Sequence, residues 1–146
     1  MLTDPIPFDP YVRRAELHGV VDGDTIDVVI DMGFSNMTRQ RLRLKDVDTP
    51  EKNPRKEGRS EHSLEAERAA AKRAEDFTSQ WVGMGDGHTI DHGVKWPFMV
   101  HTDKDRKTLG RYVATVYRHG DPISLNQALV NAGHEKNMND YEESQQ

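Results

Sequence analysis

The sequence predicts an α+β domain built on a small antiparallel barrel, and three observations carry that prediction. Two β-branched, apolar stretches and an alternating one precede the best helical pattern, two further strand patterns follow it, and a second short helical pattern comes after those. The 146 residues suit one compact domain. No run of 18 apolar residues exists to span a membrane, so no membrane partner is expected. The absence of cysteine excludes disulfide scaffolds, thiolate zinc sites and thiol nucleophiles. A formal net charge of −5, from 25 acids against 20 Lys and Arg, argues by itself against a protein that coats polyanions.

Residues 1–10 read as a polar lead-in broken by Pro5, Pro7 and Pro10, residues 11–136 as the domain, and residues 137–146 as a polar tail that frays. From Tyr11 to Ile30 the β-rich pattern is interrupted once, at Asp22-Gly23-Asp24, which reads as a hairpin turn or bulge at Gly23. A second turn near Asp31 to Asn36 leads into Arg39 to Lys45. There Leu42 and Leu44 alternate with Arg41, Arg43 and Lys45, placing the leucines in the core and the cations outside. Asp48 to Arg59 is a charged loop with two prolines. In Ser63 to Val82, Ala66, Ala70, Ala74, Phe77 and Trp81 form one stripe of a helix, ended by Gly83, Gly85 and Gly87. Trp96 to Thr102 and Arg111 to Tyr117 read as two more strands. The second helix starts at Ser124, whose spacing to Gln127 makes a capping box, and stops at Gly133.

Three clusters can carry chemistry. Asp22-Gly23-Asp24-Thr25 either presents oxygen ligands to a hard cation or is a plain hairpin turn; Ile26, Val28 and Ile30 exclude an EF-hand. Arg43-Leu44-Lys45-Asp46-Val47-Asp48-Thr49-Pro50-Glu51 holds the parts of a phosphodiester-cleaving site, though a solvated strand end would carry the same charges. Gly110-Arg111, opening a strand, says little alone. His88 and His92 have metal-ligand spacing, but Gly87 and Gly93 bracket them and a loop is expected. Trp81, Trp96 and Phe98 read as core.

In order along the chain, Asp-Gly-Asp-Thr at 22–25, Arg43-Leu44 with Val47-Asp48-Thr49-Pro50-Glu51, the alanine-rich helix, Gly110-Arg111 with Ala114 and Tyr117, and Leu125 to Val130 resemble the staphylococcal nuclease (thermonuclease) family. The resemblance spans about residues 17–136 and implies a five-stranded OB-type barrel with about two packed helices. It implies Ca²⁺ held by Asp24, Asp48 and the Thr49 carbonyl, with Asp22 behind them. Glu51 would position or deprotonate the attacking water, and Arg43 and Arg111 would clamp the phosphate. The activity implied is hydrolysis of DNA and/or RNA with little sequence specificity, leaving 3′-phosphate ends. Lys104, Lys107 and Tyr141 are further candidate substrate contacts.

Two positions depart from the family pattern. Leu109 stands where relatives have Tyr before Gly-Arg, removing an aromatic contact, and Asp46 stands where relatives have glycine or an apolar residue. Two other functions compete: a non-catalytic OB module binding nucleic acid or protein, and a phosphodiesterase acting on small nucleotides. A monomer is expected. The first 16 residues lack the apolar region of an export signal, so a cytoplasmic location is expected, with a viral or mobile-element setting as one way to reconcile a broad nuclease with it. Between Arg39 and Arg59 eight cations face four acids, and Lys104 to Arg111 holds four cations against Asp105. The acidic chain is therefore expected to carry a basic groove.

Overall fold

Alternation along the β-rich stretches is what closes the barrel. In the computed structural model, which describes residues 9–83, 96–104 and 112–142, strands β1 (Val12–Asp22), β2 (Thr25–Gly33), β3 (Asn36–Leu44), β4 (Phe98–Lys104) and β5 (Tyr112–Arg118) close in the order β1-β2-β3-β5-β4. Ile26, Val28, Ile30, Leu42, Leu44, Val100 and Val116 point inward and are buried. The residues between them face out, where Arg41 pairs with Asp27 at 2.8 Å. β1 is paired with β4 over its first four residues and with β2 from Ala15 onward. Its register shifts after Leu17 and after Val20, and such bulges add the twist that lets one strand serve both neighbours.

The purely antiparallel barrel expected from the sequence is corrected at one seam. β3 and β5 run parallel, with Leu42, Arg43 and Leu44 opposite Tyr112, Val113 and Ala114. The cause is parity, because strand directions that alternate around a ring of five must repeat once. The buried Asn126 fixes this end of the barrel: its amide nitrogen donates to the carbonyls of Lys45 and Ala114, each at 2.9 Å, and its oxygen accepts the Val116 amide at 3.1 Å.

Helix α1 (Glu61–Trp81) begins two residues before the expected start at Ser63, because the Ser60 hydroxyl accepts the Ser63 amide and caps it. Ala70, Ala74 and Trp81 of the stripe are buried, with Leu64 and Ala71 beside them, and so are three polar residues, Ser63, Glu67 and Thr78. Helix α2 (Leu125–Asn131) is capped by Ser124 as expected, but Gln127 turns to Asn131 instead of back to the cap, so only half of a capping box forms. A 3₁₀ turn at Met138–Tyr141 packs on α1 and buries Tyr141, so this part of the tail is docked. No helix among the described residues is long and apolar enough to cross a membrane.

Gly23 shows why the β1–β2 turn needs glycine, and the reason is not backbone freedom. Neither Gly23 nor Asp24 has positive φ. A Cβ at Gly23 would instead lie 2.8 Å from the Ala74 Cβ, 3.0 Å from the Ala74 backbone carbon and 3.1 Å from the Thr49 Cγ2. The turn sits directly on α1, held by the Thr78 hydroxyl donating to the Gly23 carbonyl at 2.6 Å. Gly23→Ala should therefore cost about 1–3 kcal/mol, seen as a lower urea midpoint at unchanged slope. An unchanged midpoint would mean that the turn has room to spare.

Candidate active site

The docked turn delivers Asp24 to the edge of β2, where Thr25 lies opposite Arg43 in the ladder. Asp24 is buried, and each carboxylate oxygen has a partner: Oδ1 accepts the Thr25 hydroxyl at 3.0 Å, and Oδ2 accepts the backbone amide of the buried Thr49 at 3.0 Å. That second bond joins two segments 25 residues apart. The Arg43 guanidinium completes the group, lying 3.0 Å from Asp48 Oδ1 and 3.5 Å from Asp24 Oδ2, with the Val47 carbonyl 3.4 Å from the same nitrogen. Two carboxylates thus converge on one fixed cation, which offsets their mutual repulsion. Asp46, just before them, is exposed and adopts φ of 59° in the turn leaving β3, a conformation that aspartate tolerates better than most residues.

Glu51 follows three residues after Asp48. Its carboxyl is held above the ordinary glutamate value, first by partial burial; Lys136 opposes this, and the negative charges of Asp24, Asp48 and Glu67 reinforce it. Its backbone amide donates to Glu67 Oε2 at 2.9 Å. Glu67, on α1, is fully buried and was not among the residues singled out from the sequence. Arg59 meets its Oε1 at 2.6 Å, and Lys136 meets its Oε2 at 3.2 Å. Burial alone would raise its pKa, but the Glu51 amide, Arg59 and Lys136 outweigh burial and hold it below the ordinary value. Lys136 also donates its own amide to the Asp48 carbonyl at 2.7 Å. One buried carboxylate therefore ties α1, the 48–59 loop and the segment after α2 to the backbone of both Asp48 and Glu51.

A groove of about 1300 Å³ runs past Arg43 and Asp48 and is bordered by Tyr11, Lys45, Lys104 and Lys136. Lys136 also borders a second cavity of about 500 Å³ that contains Glu51, Arg55 and Arg59. The expected basic groove is corrected among the described residues: the four cations Arg43, Lys45, Lys104 and Lys136 are matched by as many carboxylates in the lining. The basic run read from the sequence is dispersed by the fold. Arg41 turns outward to Asp27, and Lys52 is held by Asp22 and Glu75, each at 3.3 Å.

Of the residues singled out from the sequence, Asp24, Arg43, Asp48 and Thr49 are in direct contact, with Glu51 adjoining them. Asp22 turns aside to Lys52. Lys104 lies on the groove, whereas Tyr141 is buried in another cavity, with Pro50, Arg73 and His134. Arg111 and Lys107, and with them Leu109, His88 and His92, lie outside the described residues. No group of three or more His, Cys, Asp or Glu that could hold a metal gathers among the described residues. Two carboxylates and a nearby backbone carbonyl are nonetheless the hard oxygen donors that suit a hard divalent cation, provided that water or substrate oxygens complete its shell.

The fold and the site define an α+β domain of the OB-like class, a closed five-stranded barrel with two carboxylates and an arginine at its rim. The sequence model of the staphylococcal nuclease homologue family matches residues 41–146, and the chain belongs to that family. No curated protein matches the chain. The family match begins at Arg41, so Asp24 joins the site through the fold, by its bond to Thr49.

Proposed function

We propose that the protein is a Ca²⁺-dependent phosphodiesterase of low sequence specificity that hydrolyses DNA and/or RNA by attack of water on the phosphate, leaving 3′-phosphate ends. The observation that carries this reading is the convergence of Asp24 and Asp48 on Arg43, with Glu51 close by in the adjoining cavity that shares Lys136 with the groove. Asp24, Asp48 and the Thr49 carbonyl would hold the cation. Bound there, Ca²⁺ supplies neutralisation of phosphate charge and a lowered pKa for its water. With so few protein ligands, affinity for the metal alone is modest and rises with substrate.

The chain's own groups do the rest. Arg43 donates paired N–H groups to phosphate oxygens that gain charge as the bond breaks. Arg111 takes the same role by resemblance. Glu51, its carboxyl held high, accepts the proton of the attacking water or fixes that water in line. Family membership supports nuclease chemistry in general. The intact set of side chains supports catalysis over a module that only binds.

The test is an assay of the purified protein on single-stranded DNA, duplex DNA, RNA and small nucleotides, with Ca²⁺, with Mg²⁺ or with chelator. Cleavage of polynucleotides that chelator abolishes and Ca²⁺ restores is the expected result. No Ca²⁺-dependent cleavage of any substrate overturns the proposal and leaves a non-catalytic binding module. Cleavage confined to small nucleotides overturns the polynucleotide assignment.

A further inference from the structure

Tyr11 stands apart from the other aromatic residues. It is 51% exposed, yet its backbone is fixed on both sides. Its amide donates to Asp9 Oδ1 at 2.9 Å, and its carbonyl accepts the Thr102 amide at 2.9 Å and the Thr102 hydroxyl at 3.4 Å. An exposed ring on an anchored backbone loses little further freedom when something lies against it. Among the described residues it is the one aromatic side chain lining the groove that contains Arg43 and Asp48. Trp81 and Phe98 stack on each other in the core, Phe77 packs on His134, and Tyr141 is buried.

The register fixes how far Tyr11 lies from the carboxylates. Tyr11 bonds Thr102 of β4, Thr102 lies opposite Ala114 of β5, and Ala114 lies opposite Leu44 of β3, next to Arg43. Three strand spacings of about 4.8 Å put Tyr11 roughly 14 Å around the barrel from Leu44. That is farther than the base of the nucleotide whose phosphate meets Arg43 can reach, so a base on Tyr11 belongs to another nucleotide of the same strand. The described lining carries equal numbers of cations and carboxylates. Ionic contacts to a polyanion weaken as salt rises, and a nucleobase face on a tyrosine ring adds a contact that does not depend on charge.

We propose that Tyr11 is a stacking subsite for an unpaired base of single-stranded nucleic acid lying along the groove, at a nucleotide beyond the one whose phosphate meets Arg43. Only an unpaired, unstacked base offers its face to a side chain, so the subsite favours single strands over duplex. The inference rests on the nuclease reading for the position of the scissile phosphate, but binding tests it separately.

The experiment compares the wild type with Tyr11→Ala, Tyr11→Leu and Tyr11→Phe, each checked for an unchanged melting temperature. Cleavage in Ca²⁺ is measured on a twelve-residue oligothymidylate and on thymidylyl dinucleotide. Anisotropy of the labelled oligonucleotide in chelator at low salt measures binding without turnover. The ratio of kcat/KM on the long substrate to that on the dinucleotide is expected to fall about five- to a hundredfold in Tyr11→Ala and Tyr11→Leu, with Tyr11→Phe close to wild type. The affinity in chelator should fall by a similar factor. Equal length ratios and affinities in all four proteins would overturn the subsite and leave the nuclease reading standing, as would a Tyr11→Phe protein as weak as Tyr11→Ala. Tyr11-dependent binding without any cleavage would overturn the nuclease reading and keep the subsite. A wild type that neither binds nor cleaves overturns both.

Discussion

Glu51→Gln is expected to leave a folded protein whose kcat on single-stranded DNA is lower by at least about a hundredfold. The amide has the shape of the carboxylate, and the backbone N–H of residue 51 keeps its bond to Glu67, so the loop stays in place. What the proposed mechanism loses is the carboxylate that takes a proton from the attacking water or fixes that water in line. Arg43→Ala should lose turnover on the same scale, because removing one donor to a developing oxyanion costs about 2.7–4 kcal/mol of barrier. Arg43→Lys should recover little of it, since an ammonium is a single point of charge and lacks the planar fork that offers paired N–H groups to phosphate oxygens. Single-turnover kinetics with saturating Ca²⁺, beside a thermal melt of each variant, check both. A folded Glu51→Gln protein that turns over normally would remove Glu51 from the chemistry.

The alternation of Leu42 and Leu44 with arginines, and the step of Ala70, Ala74 and Trp81, were enough to place β3 and α1, because period alone decides which face is buried. The parallel seam between β3 and β5 was not legible in the same way. Strand propensity does not depend on the direction of a neighbour, and only counting five strands into a closed ring exposes the forced repeat. Gly23 reads locally as a turn glycine, and its actual constraint, contact with Ala74 across 51 positions of sequence, has no local signature.

The site divides along the same line. Asp48, Thr49 and Glu51 are neighbours in sequence, and their association was readable from spacing. Asp24 came to them only by resemblance, and the fold realises that contact through one amide, that of Thr49. Among the described residues the basic run is spread out by the fold: alternation along β3 sends Arg41 to the outer surface, and Lys52, in the loop beyond β3, turns to Asp22 and Glu75. Glu67 was hidden most completely. In a helical stripe it is a polar residue between Ala66 and Ala70, and its burial depends on Arg59 in the preceding loop and Lys136 beyond α2.

Glu67→Leu is expected to cost about 3–5 kcal/mol, because it strands Arg59 and Lys136 without their shared counter-ion and leaves the Glu51 amide without an acceptor. At this chain length that is a fall in Tm of roughly 10–15 °C. The loss should depend on pH in a definite direction. The Glu67 carboxyl is held below its ordinary value in the fold, so the stability it contributes is fully present above about pH 4.3 and disappears as the pH falls through the lower folded value. The gap between wild type and Glu67→Gln should therefore narrow in acid. Arg59→Met added to Glu67→Leu removes the better-buried cation and should return much of the stability, since apolar replacements of a buried pair are often neutral or better. It should not return turnover, because the amide of Glu51 still lacks the oxygen that places it. Recovery of both stability and kcat in the double variant would make Glu67 a structural charge alone. Recovery of stability without kcat would show that the buried carboxylate of α1 sets the position of Glu51.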